Sequence, residues 1–155
     1  MSHVQTALGR FFESSSYAVV GASKDPSKFG NKVLKWYQAH KIPATPIHPK
    51  EPEIEGLPTS ANVADLVQKL KAEGKIESEA QLSLSIVTPP KISLGVVQDG
   101  INSGVGAFWL QPGAEDAELV SWVRSQSEQV QEKIIYGGPC ILISGAQLAS
   151  AKGRL

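Results

Sequence analysis

The residues best suited to holding an anion stand close together near the start of the chain. Gly21 and Ser23 follow an apolar run, and Lys24 and Lys28 come soon after. A glycine permits the sharp turn that ends a buried strand. The amides of such a loop, with the N-terminus of the next helix, form a concavity for anions. The segment therefore predicts a diphosphate site. An ordinary strand-to-helix turn is the alternative, because the next glycine is Gly30 and the spacing is not G-x-G-x-x-G.

The end of the second apolar run bears on which nucleotide would bind. In an NAD-binding domain an acidic residue at this place hydrogen-bonds the ribose hydroxyls. Here the run ends in Ile47, His48, Pro49 and Lys50, so the acid is absent and a lysine stands nearby. A phosphorylated ribose suits that chemistry better than a bare one, which disfavours NAD and leaves coenzyme A and NADP open. Glu51 follows closely and weakens the argument from the lysine.

Two later strand ends supply further candidates. Val87 and Pro89 offer apolar surface for an adenine or a pantetheine arm, and Thr88 offers a hydroxyl for a phosphate or an amide. The alternative is that the prolines of this segment only terminate the strand. One strand further on, Gln111 follows Leu110 and could face the same crevice. These side chains can act together only if a sheet brings the strand ends to one edge.

Apolar runs and amphipathic segments alternate along the chain, which is typical of a parallel sheet with helices on both faces. Strands are predicted at 17–20, 44–48, 57–59, 84–88, 107–110 and 133–136. Helices are predicted at 4–14, at 27–40 with Ser27 as N-cap, at 62–73, 91–103 and 114–126, and briefly near the C-terminus. The predicted fold class is α/β, a three-layer Rossmann-like fold with a mainly parallel sheet. The expected strand order is 3-2-1-4-5-6, with the ligand crevice between the first and fourth strands.

Five short segments follow one another in an informative order. They are VVGAS at 19–23, KFGNKV at 28–33, IHPK at 47–50, IVTPP at 86–90 and WLQPG at 109–113. Together they resemble the coenzyme A-binding domain family, the small Rossmann module that also forms the N-terminal part of the succinyl-CoA synthetase alpha subunit. Each segment alone is a weak signal, whereas the ordered set is fairly specific for the family.

The resemblance implies a ligand site built from these segments. The first loop would hold the diphosphate, the segment 48–50 would lie near the adenosine and its phosphate, and the segment 87–89 would line the rest of the pocket. The cofactor-binding residues that the resemblance implies are Gly21, Ala22, Ser23, Lys28, Asn31, Lys32, His48, Pro49, Lys50, Val87, Thr88, Pro89 and Gln111.

The chain also departs from the family's pattern. Shorter bacterial relatives usually have an asparagine where this chain has His48, and GPC at 138–140 resembles the GPNC of acyl-CoA synthetases without its asparagine. The synthetases continue into a domain with a phosphorylated histidine, whereas His3, His40 and His48 all precede Cys140. The resemblance therefore implies binding and not catalysis.

The composition disfavours several other classes of protein. Lys and Arg together number 15, as do Asp and Glu, so charge gives no reason to expect nucleic acid or an anionic membrane as a partner. The single cysteine, Cys140, cannot form an internal disulfide, which favours a reducing compartment and a cytoplasmic location. We find no signal pattern, no membrane-spanning run, no metal-ligand spacing and no G-x-S-x-G elbow. The length suits one domain over residues 1–155.

Our leading hypothesis is a stand-alone module that binds coenzyme A or a short acyl-CoA and catalyses nothing itself. The alternatives are a small NADP-dependent oxidoreductase and a scaffold that has lost its ligand. A buried, unreactive Cys140 is favoured over a reactive thiol, because no basic residue adjoins it in sequence. A homo-oligomer and a partner protein that uses acyl-CoA are both compatible with the sequence.

Overall fold

Parallel strands form the framework of the molecule, which we describe from a computed structural model that covers residues 2–155. The strands in this range are β1 (Ser16–Val20), β2 (Ala44–Ile47), β3 (Glu53–Ile54), β4 (Leu57–Pro58), β5 (Leu82–Ile86), β6 (Ala107–Leu110) and β7 (Ile134–Ile135). Five of them form one parallel sheet in the order β2-β1-β5-β6-β7, and β3 pairs with β4 in a separate antiparallel hairpin. The predicted α/β class with a mainly parallel sheet is confirmed.

Helices connect the strands. They are α1 (His3–Arg10), α2 (Phe29–Ala39), α3 (Val63–Ala72), α4 (Pro90–Ser103), α5 (Ala117–Arg124), α6 (Glu128–Gln131) and α7 (Ile141–Ala151). A short 3-10 turn, Phe11–Glu13, joins α1 to β1, and a second, Glu79–Gln81, precedes β5. None of the helices in the described part of the chain has the length and apolarity that a bilayer crossing requires.

Helices cover both faces of the sheet. Tyr17 and Val19 of β1 pack in the core that includes α1, α2 and α7, and Ala18 and Val20 pack in the core that includes α3, α4 and α5. Successive side chains of a strand point to opposite faces, so all residues of β1 and β5 are buried. Burial on both sides explains why β1 reads as a nearly continuous apolar run. In β5 the apolar residues alternate with Ser83 and Ser85, which are buried as well.

The structure differs from the prediction at the third strand. The segment predicted at 57–59 contributes two residues to the β3–β4 hairpin, and only Ser60 reaches the main sheet, where it bridges to Ile47. Its amide donates to the carbonyl oxygen of Pro46 at 3.1 Å. Pro46 and Pro58 carry no amide hydrogen, so a longer ladder along the outer edge of β2 would lack donors. The main sheet therefore has a single β-bridge, between Ser60 and Ile47, where a sixth strand was predicted.

Several helix boundaries also differ from the prediction. Ser27 is not the N-cap of α2: Lys28 takes that place, and the Ser27 hydroxyl instead donates to Asp25 at 2.8 Å. The helix predicted from residue 114 begins at Ala117, because the Asp116 side chain caps it by accepting from the Leu119 amide. The tail, predicted to hold only a brief helix, contains the 11 residues of α7.

The two ends of the described chain are clasped together at the amino-terminal edge of the sheet. Lys152 pairs with Glu13 at 2.7 Å. The Nε of Arg154 donates to the carbonyl oxygen of Phe12 at 3.0 Å, and its terminal nitrogen donates to that of Ser14. Segments from opposite ends of the chain thus stabilise each other directly before β1 begins.

Candidate functional site

A cleft of about 720 Å³ opens where β1, β2 and β5 end. The carboxyl ends of parallel strands meet at one edge of a sheet, and ligands of open α/β folds bind in the crevice outside that edge. The order of the sheet places β1 between β2 and β5, so the loops that follow all three strands reach the cleft. Eight of the residues proposed from the resemblance line it: Gly21, Ala22, Ser23, Lys28, His48, Pro49, Val87 and Thr88.

Two glycines allow the first loop and α2 to approach each other closely. Gly21 has φ +94°, a conformation that favours glycine, and a Cβ there would lie 2.9 Å from a methyl carbon of Val87. A Cβ on Gly30 would lie only 2.1 Å from the carbonyl oxygen of Gly21. The first turn of α2 therefore rests directly on the loop. A glycine in the first turn of a helix, where it lowers helix propensity, was the sequence signal for this contact.

The N-terminus of α2 lies at the cleft with its first amides lacking intrahelical acceptors. Its N-cap is Lys28, which lines the cleft and whose ammonium group can only donate hydrogen bonds. The partial positive charge of a helix N-terminus and this ammonium group therefore reinforce each other. Phe29 and Gly30, both in the cleft lining, carry the two amides next along the helix. Such an arrangement attracts an anion.

His48 organises the turn after β2. Its Nδ1 accepts hydrogen bonds from the amide nitrogens of Lys50 at 3.0 Å and Glu51 at 2.9 Å. A ring nitrogen that accepts twice carries no hydrogen, so the hydrogen of the neutral ring resides on Nε2. The carbonyl oxygen of an asparagine side chain accepts from following amides in the same way. His48 thus keeps the turn that an asparagine would make and adds a ring N–H at the cleft.

The charges around the cleft are only partly paired. Lys24 lies 2.6 Å from Glu51, and this contact lowers the pKa of the Glu51 carboxyl group. The charge of Lys24 is therefore balanced locally. The amide and hydroxyl of Ser27 donate to Asp25, which lowers the pKa of that carboxyl group, with a smaller contribution from Lys28. The negative charge of Glu51, which could have offset Lys50, is directed instead at Lys24.

Five of the residues proposed from the resemblance lie outside the cleft lining. Two are fully buried: Asn31 donates from Nδ2 to the carbonyl oxygen of Ser23, and Gln111 accepts at Oε1 from the Ile141 amide, each at 2.9 Å. The first braces the loop from behind, and the second holds the start of α7. The other three are exposed: Lys32, Lys50 and Pro89.

The cleft also contains residues that the sequence analysis did not propose. They come from the start of α3 and the first turns of α4, and they include Ala61, Asn62, Val63, Ile92 and Val96. Asn62 caps α3 by accepting from the Asp65 amide at 2.8 Å. Ile92 is 56% exposed although it is large and apolar. An isoleucine two residues after a strand-ending proline pair was the available signal for an apolar contact surface.

A second cavity of about 760 Å³ lies near the amino-terminal ends of β1 and β2. The carboxyl ends of α2 and α3 reach it, and its lining includes Tyr17, Tyr37 and the lysines 41, 69 and 75. Lys75 pairs with Glu73 at 3.3 Å. The two cavities have nearly equal volumes, so volume alone does not identify the ligand site.

Comparison with known proteins agrees with this geometry. The profile of the family described as CoA binding domain matches residues 15–146. The alpha subunit of acetate–CoA ligase [ADP-forming] II from Pyrococcus furiosus is 29% identical over an alignment of 125 residues, and the match covers 73% of this chain and 25% of that subunit. The chain thus spans about a quarter of the length of this relative.

Solved structures have the same fold. A conserved hypothetical protein from Pyrococcus furiosus superposes with a TM-score of 0.66 at 30% identity, covering 83% of this chain and 97% of its own. A hypothetical protein from Pyrococcus horikoshii OT3 gives a TM-score of 0.66 at 20% identity, covering 96% and 92% of the two chains. The ordered segments, the cleft at the strand ends and a profile match over most of the sequence agree, and this chain belongs to the CoA binding domain family.

Proposed function

We propose that the cleft binds coenzyme A or a short acyl-CoA and that this chain performs no covalent chemistry on it. The observation that carries the proposal is the start of α2, which packs on the Gly21 loop with Lys28 as its N-cap inside the cleft. Family membership supports the same ligand class.

The diphosphate of the coenzyme matches the polar part of the cleft. Loop amides, the N-terminus of α2 and the Lys28 ammonium group together offer donors and positive charge to a multiply charged anion. The close contact of Gly30 with Gly21 leaves no side chain between the helix end and the loop. A diphosphate can therefore approach the backbone itself.

The adenine and the pantetheine arm match the apolar part of the cleft. Side chains from four parts of the fold line it, namely Ile47 at the end of β2, Val63 of α3, Val87 after β5 and Ile92 of α4. A ligand seated here would bury the exposed surface of Ile92, and burial of apolar area contributes roughly 25 cal/mol per Å². The volume of about 720 Å³ lies in the range of small-molecule sites.

The turn after β2 favours a phosphorylated ribose over a bare one. The position that carries a ribose-binding acid in NAD-binding domains is His48 here, with its N–H on Nε2. The carboxylate of Glu51 is engaged by Lys24, and Lys50 stays exposed nearby. Donors and positive charge at this turn suit the 3′-phosphate of coenzyme A. NADP, with its 2′-phosphate, is the competing ligand.

A binding role without catalysis leaves the coenzyme available to another protein. The similar ligase subunit from Pyrococcus furiosus is about four times as long as the matched region, so this chain matches only part of that subunit. We propose that this chain holds the coenzyme for a partner that uses acyl-CoA, or senses its level.

Calorimetric titration with coenzyme A, dephospho-coenzyme A, NADP and NAD tests the proposal. We expect coenzyme A to bind most tightly, and Lys28→Ala to weaken it about tenfold because a charge-assisted contact is lost. The matched control is Lys69→Ala, which removes the same charge from the far end of α3. A preference for NADP over coenzyme A, or an equal loss in both variants, would overturn the proposal.

A further inference from the structure

The tip of the β3–β4 hairpin is fastened to α2 directly behind the cleft loop. Asn31 is fully buried, and its Nδ2 donates both to the carbonyl oxygen of Ser23 and to Oε2 of Glu55, each at 2.9 Å. Ser23 belongs to the loop that lines the cleft, and Glu55 lies at the turn of the hairpin. One amide group therefore joins two segments that are 32 residues apart, 23 and 55.

Glu55 is held in place by two further residues of α2. Gln38 donates from Nε2 to the Glu55 carbonyl oxygen at 2.9 Å, and Lys35 lies 4.0 Å from its Oε1. Its φ is +51°, a left-handed conformation that is unfavourable for a residue with a side chain. Gln38 thus holds the backbone of Glu55, while Lys35 and Asn31 hold its carboxylate on the side of α2.

The contact with Asn31 orients one peptide of the loop. A trans peptide is planar, so turning the Ser23 carbonyl oxygen toward Asn31 turns the Lys24 amide the opposite way. The Ser23 hydroxyl in turn accepts from the Asp25 amide at 3.1 Å. A carbonyl oxygen drawn behind the loop cannot face a bound diphosphate, which it would repel. The brace therefore favours an anion in the cleft.

Packing alone does not account for an asparagine at this position. Its Oδ1 is buried and has no hydrogen-bond partner anywhere in residues 2–155. A buried unsatisfied acceptor is destabilising, and an apolar side chain of similar shape would avoid that cost. The two hydrogen bonds of Nδ2 are what an asparagine adds here.

We propose that Asn31 is a positioning residue for the ligand loop and that the β3–β4 hairpin braces it through Glu55, so that the hairpin sets the affinity of the cleft for a diphosphate. This inference rests on the proposed function for the identity of the anion. The orientation of the loop is independent of the identity of the ligand and can be measured in the ligand-free protein.

The first arm of the test measures amide proton and nitrogen chemical shifts of Ser23 and Lys24 in the ligand-free protein. We expect Asn31→Leu and Glu55→Ala to move both resonances. Glu55→Gln keeps an oxygen that can accept from Asn31 and should leave them in place. The matched control is Glu53→Ala, which removes an exposed carboxylate from the same hairpin. Unchanged shifts in both Asn31→Leu and Glu55→Ala would overturn the inference.

The second arm measures coenzyme A affinity by calorimetry well below the melting temperature of each variant. Glu55→Ala should weaken binding about tenfold, whereas Glu55→Gln and Glu53→Ala should bind like the unaltered chain. A purely structural role would lower the melting temperature of Glu55→Ala and leave its affinity intact, and that result would overturn the inference. Should Asn31→Leu fail to fold, Glu55→Ala carries both arms, because its side chain is near the surface.

Failure of the proposed function is distinguishable from failure of the inference. An unaltered chain that gives no binding heat with coenzyme A would overturn the proposed ligand, and the chemical-shift arm would then decide the role of Asn31. An unaltered chain that binds coenzyme A, with Glu55→Ala binding equally well, would overturn the inference alone.

Discussion

The cleft and the second cavity have similar volumes but lie at opposite ends of the same helices. The cleft is at the N-terminus of α2, where Lys28 adds to the positive end of the helix dipole. The second cavity is at the carboxyl ends of α2 and α3, where Lys41 and Lys69 balance the negative ends. Lys28 therefore adds to the positive potential of the helix end at the cleft, whereas Lys41 and Lys69 offset the negative potential of the helix ends at the second cavity. The sign of the local backbone charge, more than the size of a cavity, identifies an anion site.

Replacing a closely packed glycine by alanine should give the largest effects on stability and on binding. An added Cβ at Gly30 would lie 2.1 Å from the Gly21 carbonyl oxygen, and one at Gly106 would lie 2.1 Å from that of Ala80. Both Gly30→Ala and Gly106→Ala should lower the free energy of unfolding by about 2 kcal/mol, because backbone must move in each case. Chemical denaturation measures both values.

Only the variant at the cleft should lose the ligand. Gly30→Ala displaces the loop and should weaken coenzyme A binding at least about a hundredfold in calorimetry. Gly106 lies directly before β6, at the amino-terminal edge of the sheet and away from the cleft, so Gly106→Ala should bind normally. Equal losses of affinity in Gly30→Ala and Gly106→Ala would mean that binding follows global stability and does not depend on the close contact between Gly30 and Gly21.

Reversing the charge of Lys28 or Lys69 tests the local backbone field at each of the two cavities. Lys28→Glu should weaken coenzyme A binding about thirtyfold, because a negative charge then faces the diphosphate. Its stability should change little, since a favourable interaction with the helix N-terminus offsets the lost attraction to Asp25. Lys69→Glu should leave binding unchanged and lower stability by about 0.5 kcal/mol, because it places a negative charge at the carboxyl end of α3.

Calorimetry measures the loss of affinity that we expect only for Lys28→Glu, and thermal unfolding measures the loss of stability that we expect only for Lys69→Glu. A loss of affinity in Lys69→Glu equal to that in Lys28→Glu would assign the effect to net charge and contradict the local argument. The pair has the further advantage that both variants carry the same net charge, so solubility and long-range repulsion are matched.

A smaller effect is expected at the turn after β2. His48→Ala removes the acceptor for two amides and should lower stability by about 1 kcal/mol and coenzyme A affinity about fivefold. His48→Asn restores an acceptor for these amides and should recover the stability. Thermal unfolding and titration separate the two quantities. Equal stability of the alanine and asparagine variants would show that the acceptor is unimportant.

The smallest effect concerns acid stability at the two ends of the sheet. Lys24 holds the pKa of Glu51 below its ordinary value of 4.5, and Lys71 does the same for Glu79. A carboxyl group whose pKa is lowered on folding stabilises the protein above its unfolded pKa and loses this contribution as the pH falls through the folded value. The melting temperature should therefore fall below pH 4.5. Glu51→Gln and Glu79→Gln should each flatten that decrease slightly, and a steeper decrease would contradict the assignment.

The part of the site that is local in sequence could be predicted, and the part that depends on packing could not. Gly21 and Lys28 belong to one strand-loop-helix unit, so their neighbours in sequence indicate that they lie together at the cleft. The start of α3 reaches the cleft only because the segment around Ser60 runs along the edge of β2. No local pattern of Ala61 or Val63 distinguishes that position from any other helix start.

Gln111 illustrates a second limit of sequence reasoning. It follows β6 and was expected to face the crevice, but side chains alternate along a strand. Gln111 therefore lies on the same side as Trp109, whose Nε1 donates to Pro139 at 3.0 Å, and it accepts from Ile141 at 2.9 Å. The face of the sheet that carries Gln111 is covered by α7, which the C-terminal segment forms. This segment was predicted to contain only a brief helix, so the sequence did not indicate that Gln111 would be covered.

The clasp between the two ends of the chain has a consequence for topology. With Lys152 and Arg154 bound to residues 12–14, the described chain behaves as a ring closed by noncovalent contacts at the side of the sheet opposite the cleft. A circular permutant of residues 2–155 that joins the two ends of this range through a short linker and opens the chain at the exposed turn near Gly74 should therefore keep the cleft intact. Attachment of residues 2–155 to a surface through either end of this range would likewise leave the carboxyl edge of the sheet facing solution.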